Sequence, residues 1–220
     1  LSNSVQVAVP VLGGNVTDVR IQPEVRGYVT KSRLTLAVRA TTGLLFPQDY
    51  GDTLQGDIPL DNVLTPPQIR DQQKLLFRAF FSGGPFSNRG YPVNGVGPHY
   101  VLGYLGSSSQ RCTATLGEPV NPSCLRPVGG LTLWEVSLEL RFPLGFLDPL
   151  VGSLFIDASD VRQRKLSYGF VDTHPSPGFG LATVSILMTS GAPYSWKTTA
   201  FIALPACPGE AAGLAWATAC

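Results

Sequence analysis

Apolar and polar residues alternate along several stretches of this chain, the pattern of a β-strand with two different faces. The clearest stretch is 134–142. One face carries Trp134, Val136, Leu138, Leu140 and Phe142, and the other carries Glu135, Ser137, Glu139 and Arg141. Its length is close to the roughly 9 to 11 residues with which a strand crosses a membrane. The pattern predicts a strand with one lipid-facing side and one side facing a water-filled interior.

Two stretches nearer the N-terminus repeat this period of two. In residues 18–29 a single face carries all the charged groups, which are Asp18, Arg20, Glu24 and Arg26. Residues 33–40 place Arg33, Thr35, Ala37 and Arg39 opposite Leu34, Leu36, Val38 and Ala40. Both stretches are predicted to be strands of the same kind.

Residues 150–158 form a further alternating stretch, in which Asp157 lies on the more polar face. The segment PLGFLDP, residues 143–149, is short and rich in turn formers, so it predicts a hairpin with the preceding strand. KLLFRAFF, residues 74–81, predicts another strand after a long polar loop at 47–73.

Alternation alone does not separate a membrane barrel from a soluble β-sandwich, because a sandwich also has one apolar and one polar face. Charged residues make up only 14% of the chain, well below the roughly 25% of ordinary soluble domains. Long loops alternate with short turns, and aromatic residues lie near strand ends. These features favour a partial, all-β, antiparallel transmembrane barrel. A secreted β-sandwich that acts as a binding module is the alternative.

Composition and motifs exclude several other classes. A net charge of +1 with no basic cluster argues against nucleic-acid binding. No apolar run is long enough for a membrane-spanning helix, and no signal peptide opens the chain, which suggests a fragment or a mature form. No nucleophile motif, phosphate-binding loop or zinc-ligand spacing is present, so we expect no enzyme activity, no metal and no cofactor. His174, in a turn-like segment, is assigned no role.

The cysteines give an ambiguous signal. Cys112 and Cys124 flank a polar stretch that contains proline. They are suited to a disulfide that closes a loop in an oxidising compartment, and two unpaired thiols are an equally good reading.

A glycine-rich segment, GGPFSNRGYPVNGVGP at residues 83–98, is too specific in its order to be a generic turn. It resembles the conserved loop of the outer-membrane barrel-assembly family, which includes BamA and TamA. The hallmark of that loop is an Arg-Gly-aromatic triplet after a Gly-Gly turn. Here these residues are Gly83, Gly84, Arg89, Gly90 and Tyr91.

Two later segments strengthen the resemblance because they follow in the family's order. GGLTLWEVSLELRFPLG, from residue 129, resembles its strand ending in Glu-aliphatic-Arg-Phe-Pro, and SLFIDASDV, from residue 153, resembles its strand with a buried Asp. The resemblance implies that the loop folds into the barrel, where Arg89 contacts Asp157 and, second, Glu139. Gly90 would allow the tight backbone path and Tyr91 would pack on the wall. The alternation independently places both carboxylates on interior faces.

The sequence departs from the family in three places. Asn88 stands where Val or Ile is usual, and Ser159 stands where Gly is usual. After residue 181 an unrelated stretch replaces the final strands expected from the family. A frameshift in the coding sequence or a divergent end would each explain this, and a frameshift is favoured. We therefore divide the chain into a barrel portion at 1–181 and a divergent tail at 182–220.

The resemblance implies about eight strands of a barrel of roughly sixteen, a portion that cannot close alone. It implies a location in the Gram-negative outer membrane and a role in inserting or translocating outer-membrane proteins, without a cofactor. The implied partners are unfolded outer-membrane clients, the lipid bilayer and periplasmic chaperones. A pore for one secreted partner is the alternative within this family.

Overall fold

The computed structural model describes residues 1–9, 11, 14–54, 65–101, 125–145, 150–170, 173–189 and 192–203. Within them lie nine strands: β1 Ser2–Ala8, β2 Asp18–Lys31, β3 Leu34–Pro47, β4 His99–Val101, β5 Leu125–Pro127, β6 Thr132–Pro143, β7 Leu150–Arg162, β8 His174–Thr189 and β9 Ala192–Ala203. Seven of them form one sheet in the order β1-β2-β3-β6-β7-β8-β9, and every pairing in it is antiparallel. The sheet is open, with β1 and β9 as its edges.

Short and long connections alternate along the sheet, as the sequence predicted. Only residues 32–33 join β2 to β3, and residues 144–149 join β6 to β7. The connection from β3 to β6 is by contrast a long excursion, residues 48–131, which contains a 3-10 turn at Asp52–Leu54, a helix α1 at Pro66–Leu76, and the β4–β5 pair. The other two longer connections, residues 9–17 and 163–173, leave from this same end of the sheet, because the strands are antiparallel.

The strand predicted at residues 74–81 is wrong, since residues 66–76 form helix α1. Two prolines open the helix, where their missing N–H groups cost nothing. The side-chain oxygen of Gln68 accepts a hydrogen bond from the backbone N–H of Thr65 at 2.8 Å, which satisfies a group at the helix start. The apolar run of Leu75, Leu76 and Phe77 is compatible with helix or strand, and these start signals decide in favour of a helix.

The outer face of the large sheet is apolar and exposed. Cross-strand neighbours continue it from strand to strand, for example from Leu36 through Leu140 and Leu154 to Phe179. We call this surface the apolar belt; its exposed members include Val25, Val29, Leu36, Val38, Val136, Leu138, Leu154, Ile156, Phe179 and Leu181. An apolar surface this large and continuous is unfavourable in water and indicates contact with an apolar environment.

The inner face carries the polar members of the same strands, as the alternation predicted. At its upper end, where the long connections leave, the excursion packs on the sheet and forms the main buried cluster: Leu45, Tyr50, Leu54, Leu75, Ala79, Phe80, Val128, Leu131, Leu133 and Val161. In the described part of the chain, no helix is both long enough and apolar enough to cross a membrane.

The apolar belt generates a first prediction. Val38→Arg places a charge on the outer face and should destabilise the protein in lipid vesicles by roughly 2–4 kcal/mol if the site lies near the bilayer centre. Thr35→Arg, on the inner face of the same strand, should cost less than half as much because that face meets water. Equilibrium unfolding by denaturant measures both. Equal losses would contradict a lipid-facing belt.

Candidate functional site: a loop docked on the inner wall

The glycine-rich segment, residues 83–98, folds back against the inner face of the sheet, and we call it the inner loop. Gly83 and Gly84 have φ angles of 107° and 98°, a region that favours glycine. A Cβ on Gly83 would lie 2.3 Å from the carbonyl oxygen of Pro92, so no other residue fits there. The backbone N–H of Gly84 donates to the carbonyl oxygens of Asn88, at 3.2 Å, and Tyr91, at 2.9 Å, which closes the turn.

This turn directs the side chain of Arg89 at the wall. Its Nε donates to Oδ2 of Asp157 at 2.7 Å and its Nη2 to Oδ1 at 2.8 Å, a two-point contact between guanidinium and carboxylate. Its Nη1 donates to Oε2 of Glu139 at 2.7 Å. The structure therefore brings together the three residues that the sequence resemblance paired. Only 8% of the Arg89 side chain and 2% of the Asp157 side chain are exposed.

The wall is shaped for this guanidinium by strand register. Ser137 pairs with Asp157 and Glu139 pairs with Phe155 across β6 and β7, so all four side chains lie together on the inner face. Ser137 donates to Asp157 at 2.6 Å, and the Arg89 guanidinium carbon lies 3.4 Å from the centre of the Phe155 ring. We call Arg89, Ser137, Glu139, Phe155 and Asp157 the arginine site.

The two carboxylates of the arginine site are balanced by two arginines, Arg89 and the neighbouring Arg141. Arg89 faces two carboxylates, and Nε of Arg141 donates to the second oxygen of Glu139 at 2.8 Å. Burying an ion pair is costly unless its hydrogen bonds are satisfied. The arginine site meets this condition, because both oxygens of Asp157 and both oxygens of Glu139 accept hydrogen bonds.

The other two members of the predicted triplet also contact the wall. The backbone N–H of Gly90 donates to Oγ of Ser176 on β8 at 3.2 Å. Tyr91 is 5% exposed, and its ring meets the ring of His174 edge-on, with 5.4 Å between the ring centres. His174 therefore contacts the inner loop, although the sequence assigned it no role.

A second arginine, Arg39 of β3, also binds the inner loop, but here the arginine belongs to the wall and not to the loop. The sequence did not predict its partners. Arg39 of β3 donates through Nη1 to the carbonyl oxygen of Phe86 at 2.8 Å and through Nη2 to Glu135 at 3.2 Å. Ser87 of the loop also donates to Glu135. The alternation placed Arg39 and Glu135 on interior faces, and that was the only signal available in the sequence.

A further buried ion pair forms at Asp18, the first residue of β2. Arg78 makes a two-point contact with Asp18, with Nη2 to Oδ1 at 2.6 Å and Nε to Oδ2 at 3.0 Å. The hydroxyl of Tyr50 donates to the same carboxylate at 2.6 Å. Burial of the Tyr50 ring and this bond to a carboxylate raise the pKa of Tyr50 far above its ordinary value, so the hydroxyl stays a donor. The pair ties the segment after α1 to β2.

Cys112 and Cys124 lie outside the described residues, and their pairing remains a prediction. Arg89 is the one charged residue of the inner loop, and its bonds to Asp157 and Glu139 hold the loop against the wall.

Comparison with known proteins places this geometry in a family. A family model described as the Omp85 superfamily domain matches residues 1–183. The chain belongs to the Omp85 superfamily. The match confirms the resemblance seen in the sequence. It also confirms the predicted fold class, an antiparallel β-barrel, and the predicted location in the Gram-negative outer membrane. The family is one that assembles or translocates proteins.

Solved structures include a similar protein of greater length. A crystal structure of BamA from Haemophilus ducreyi lacking POTRA domains 1–3 is similar over 85% of this Omp85 chain, at 15% sequence identity and a TM-score of 0.48. The matched part is 35% of that protein, so this chain spans about a third of its length. A search of the curated proteins gave no match.

The two-point contact of Arg89 yields a second prediction. Arg89→Lys keeps the charge but loses the planar fork, so it should destabilise the docked loop by about 1–3 kcal/mol. Denaturant unfolding and protease cleavage within residues 83–98 measure the loss. Arg33→Lys, at an exposed arginine of the β2–β3 turn, is the control and should change neither quantity. If the two variants behave alike, the fork geometry is unimportant.

The Asp18 pair yields a third prediction. Asp18→Asn should lower the free energy of unfolding by about 1–3 kcal/mol, because Arg78 loses its charged partner and is only partly able to reach water. Asp52→Asn removes the carboxylate of an exposed pair with Lys165 and should cost less than about 0.5 kcal/mol. A thermal or denaturant melt compares them. A smaller effect at Asp18 than at Asp52 would show that the buried pair is not stabilising.

Proposed function

We propose that this chain is the C-terminal barrel portion of a protein that helps to insert or translocate client outer-membrane proteins. Membership of the Omp85 superfamily supports the general class. The observation that carries the finer proposal is the buried two-point contact between Arg89 and Asp157, with Glu139 as the second acceptor. It joins a loop of the barrel interior to two strands of the wall, and so makes the shape of the wall depend on where the loop lies.

The proposed action is exchange of strand pairing at a barrel seam, without bond chemistry. A membrane strand must have its backbone groups paired, since each unpaired group in lipid costs several kcal/mol. A client strand that pairs with an open edge of the barrel gains those bonds as it enters the bilayer. The partners of this proposal are unfolded outer-membrane clients, the lipid bilayer and periplasmic chaperones.

We also propose that residues 1–181 are the barrel portion and residues 182–220 a divergent tail. The family match supports this boundary, since the matched part of the sequence ends at residue 183. Pairing of the backbone nevertheless continues beyond that point, because β8 runs to Thr189 and pairs with β9 as far as Ala203. The tail thus begins inside a strand rather than between two elements.

A charge-swap cycle in the full-length protein tests the proposal. Arg89→Glu places a third carboxylate beside Asp157 and Glu139, and Asp157→Arg places two guanidiniums together, so each alone should abolish client assembly. The double change restores opposite charges and should recover a measurable part of it. The yield of folded client in the outer membrane is the readout, with Arg33→Glu as an exposed-arginine control.

The folded fraction of the protein itself, measured by its shift in electrophoretic mobility on heating, is recorded for every variant. Loss of client assembly with a folded barrel, and recovery in the double variant, would support the proposal. Two folded single variants that assemble clients normally would overturn it, because the loop contact would then be unconnected with assembly.

A further inference from the structure

The first residues of β8 have a strand neighbour on one side only within the described part of the chain. β8 begins HPSPG, and Pro175 and Pro177 pair with Ala158 and Ile156 of β7. Pairing with β9 starts only at Gly178. A proline has no N–H, so an antiparallel pair that contains it must be one of the non-hydrogen-bonded pairs, and its nitrogen faces the other side of the strand. The two prolines therefore turn their nitrogens toward the side of β9.

The inner loop supplies contacts to this stretch of β8. Asn88 is 1% exposed, and its Nδ2 donates to the carbonyl oxygen of His174 at 2.6 Å. Its Oδ1 accepts from Oγ of Ser176 at 2.5 Å. The same Nδ2 donates to Oγ of Ser159 on β7 at 2.8 Å. Ser159 and Ser176 are fully buried, so each hydrogen bond lies away from water.

These contacts are distinct from those of the arginine site. Arg89 binds β6 and β7, whereas Asn88 binds β7 and β8, so neighbouring loop residues hold two different pairs of strands. Asn88 and Ser159 contact each other directly, so the loop and β7 are joined at this point as well.

We propose that Asn88 is a positioning residue that ties the proline-containing start of β8 to β7 and to the inner loop, independently of Arg89. The loop then controls the order of β8 as well as the geometry of β6 and β7. When the loop is docked, the start of β8 has fixed partners on its inner side. If the loop were displaced, the His174 carbonyl, Ser159 and Ser176 would each lose a buried hydrogen bond with Asn88.

Hydrogen exchange measured by mass spectrometry on the full-length protein in detergent tests this inference. In Asn88→Val, amides in residues 174–182 and 83–98 should exchange roughly tenfold faster, because the His174 carbonyl and the hydroxyls of Ser159 and Ser176 each lose one buried hydrogen bond. Amides of β6 should change less than about twofold. Asn88→Asp keeps the shape but loses the donor to the His174 carbonyl, and should show the same local effect. Ser153→Ala, at another serine of the inner wall, is the control and should leave both regions unchanged.

A double-variant cycle tests the contact between Asn88 and Ser159. If Asn88 acts partly through Ser159, the acceleration in Asn88→Val with Ser159→Ala should be smaller than the product of the two single accelerations. A full product would overturn the pairing. Unchanged exchange at residues 174–182, or an equal increase in β2, β3 and β6, would overturn the positioning role. Because exchange does not depend on client assembly, the inference can stand even if the charge-swap cycle overturns the proposed function.

Discussion

The ion pair between Arg89 and Asp157 is the contact on which the arrangement of the interior depends. A guanidinium and a carboxylate are stable away from water only when their hydrogen-bonding groups are satisfied together, which requires the loop and two strands to be in register at the same time. Glu139, Ser137 and the ring of Phe155 complete that condition. Loop conformation and strand register are therefore coupled, because a change in either one alone breaks hydrogen bonds of the buried ion pair.

The sheet makes this coupling possible because its two faces meet different surroundings. Its outer face is a continuous apolar belt, while its inner face collects arginines and carboxylates that neutralise one another across strands, as Arg39 does with Glu24 and Glu135. Charges of this kind are tolerable only beside a wet interior. In this chain the polar wall thus serves as a docking surface for the protein's own inner loop.

Two polar residues, Asn88 and Ser159, extend the docking surface from β7 to β8. Both are buried polar groups, and their hydrogen bond to each other is one of several that satisfy them, beside those of Asn88 to His174 and Ser176. The start of β8 contains two prolines and therefore offers few hydrogen-bonding groups to a further strand. Contacts from the loop side compensate for this, which gives the inner loop a second region of influence beside the arginine site.

The sequence by itself determined which side faces inward in β2, β3, β6 and β7, because side chains along a strand alternate between its two faces. It also identified Arg89, Asp157 and Glu139 through motifs whose order resembles a known family. It failed at residues 74–81, because an apolar run suits helix and strand equally and the helix that includes residues 74–76 begins upstream, after Thr65. Only the tertiary structure decided the pairing of Asp18 with Arg78, since contacts between groups sixty residues apart follow from how the excursion packs on the sheet and leave no periodic signal in the chain.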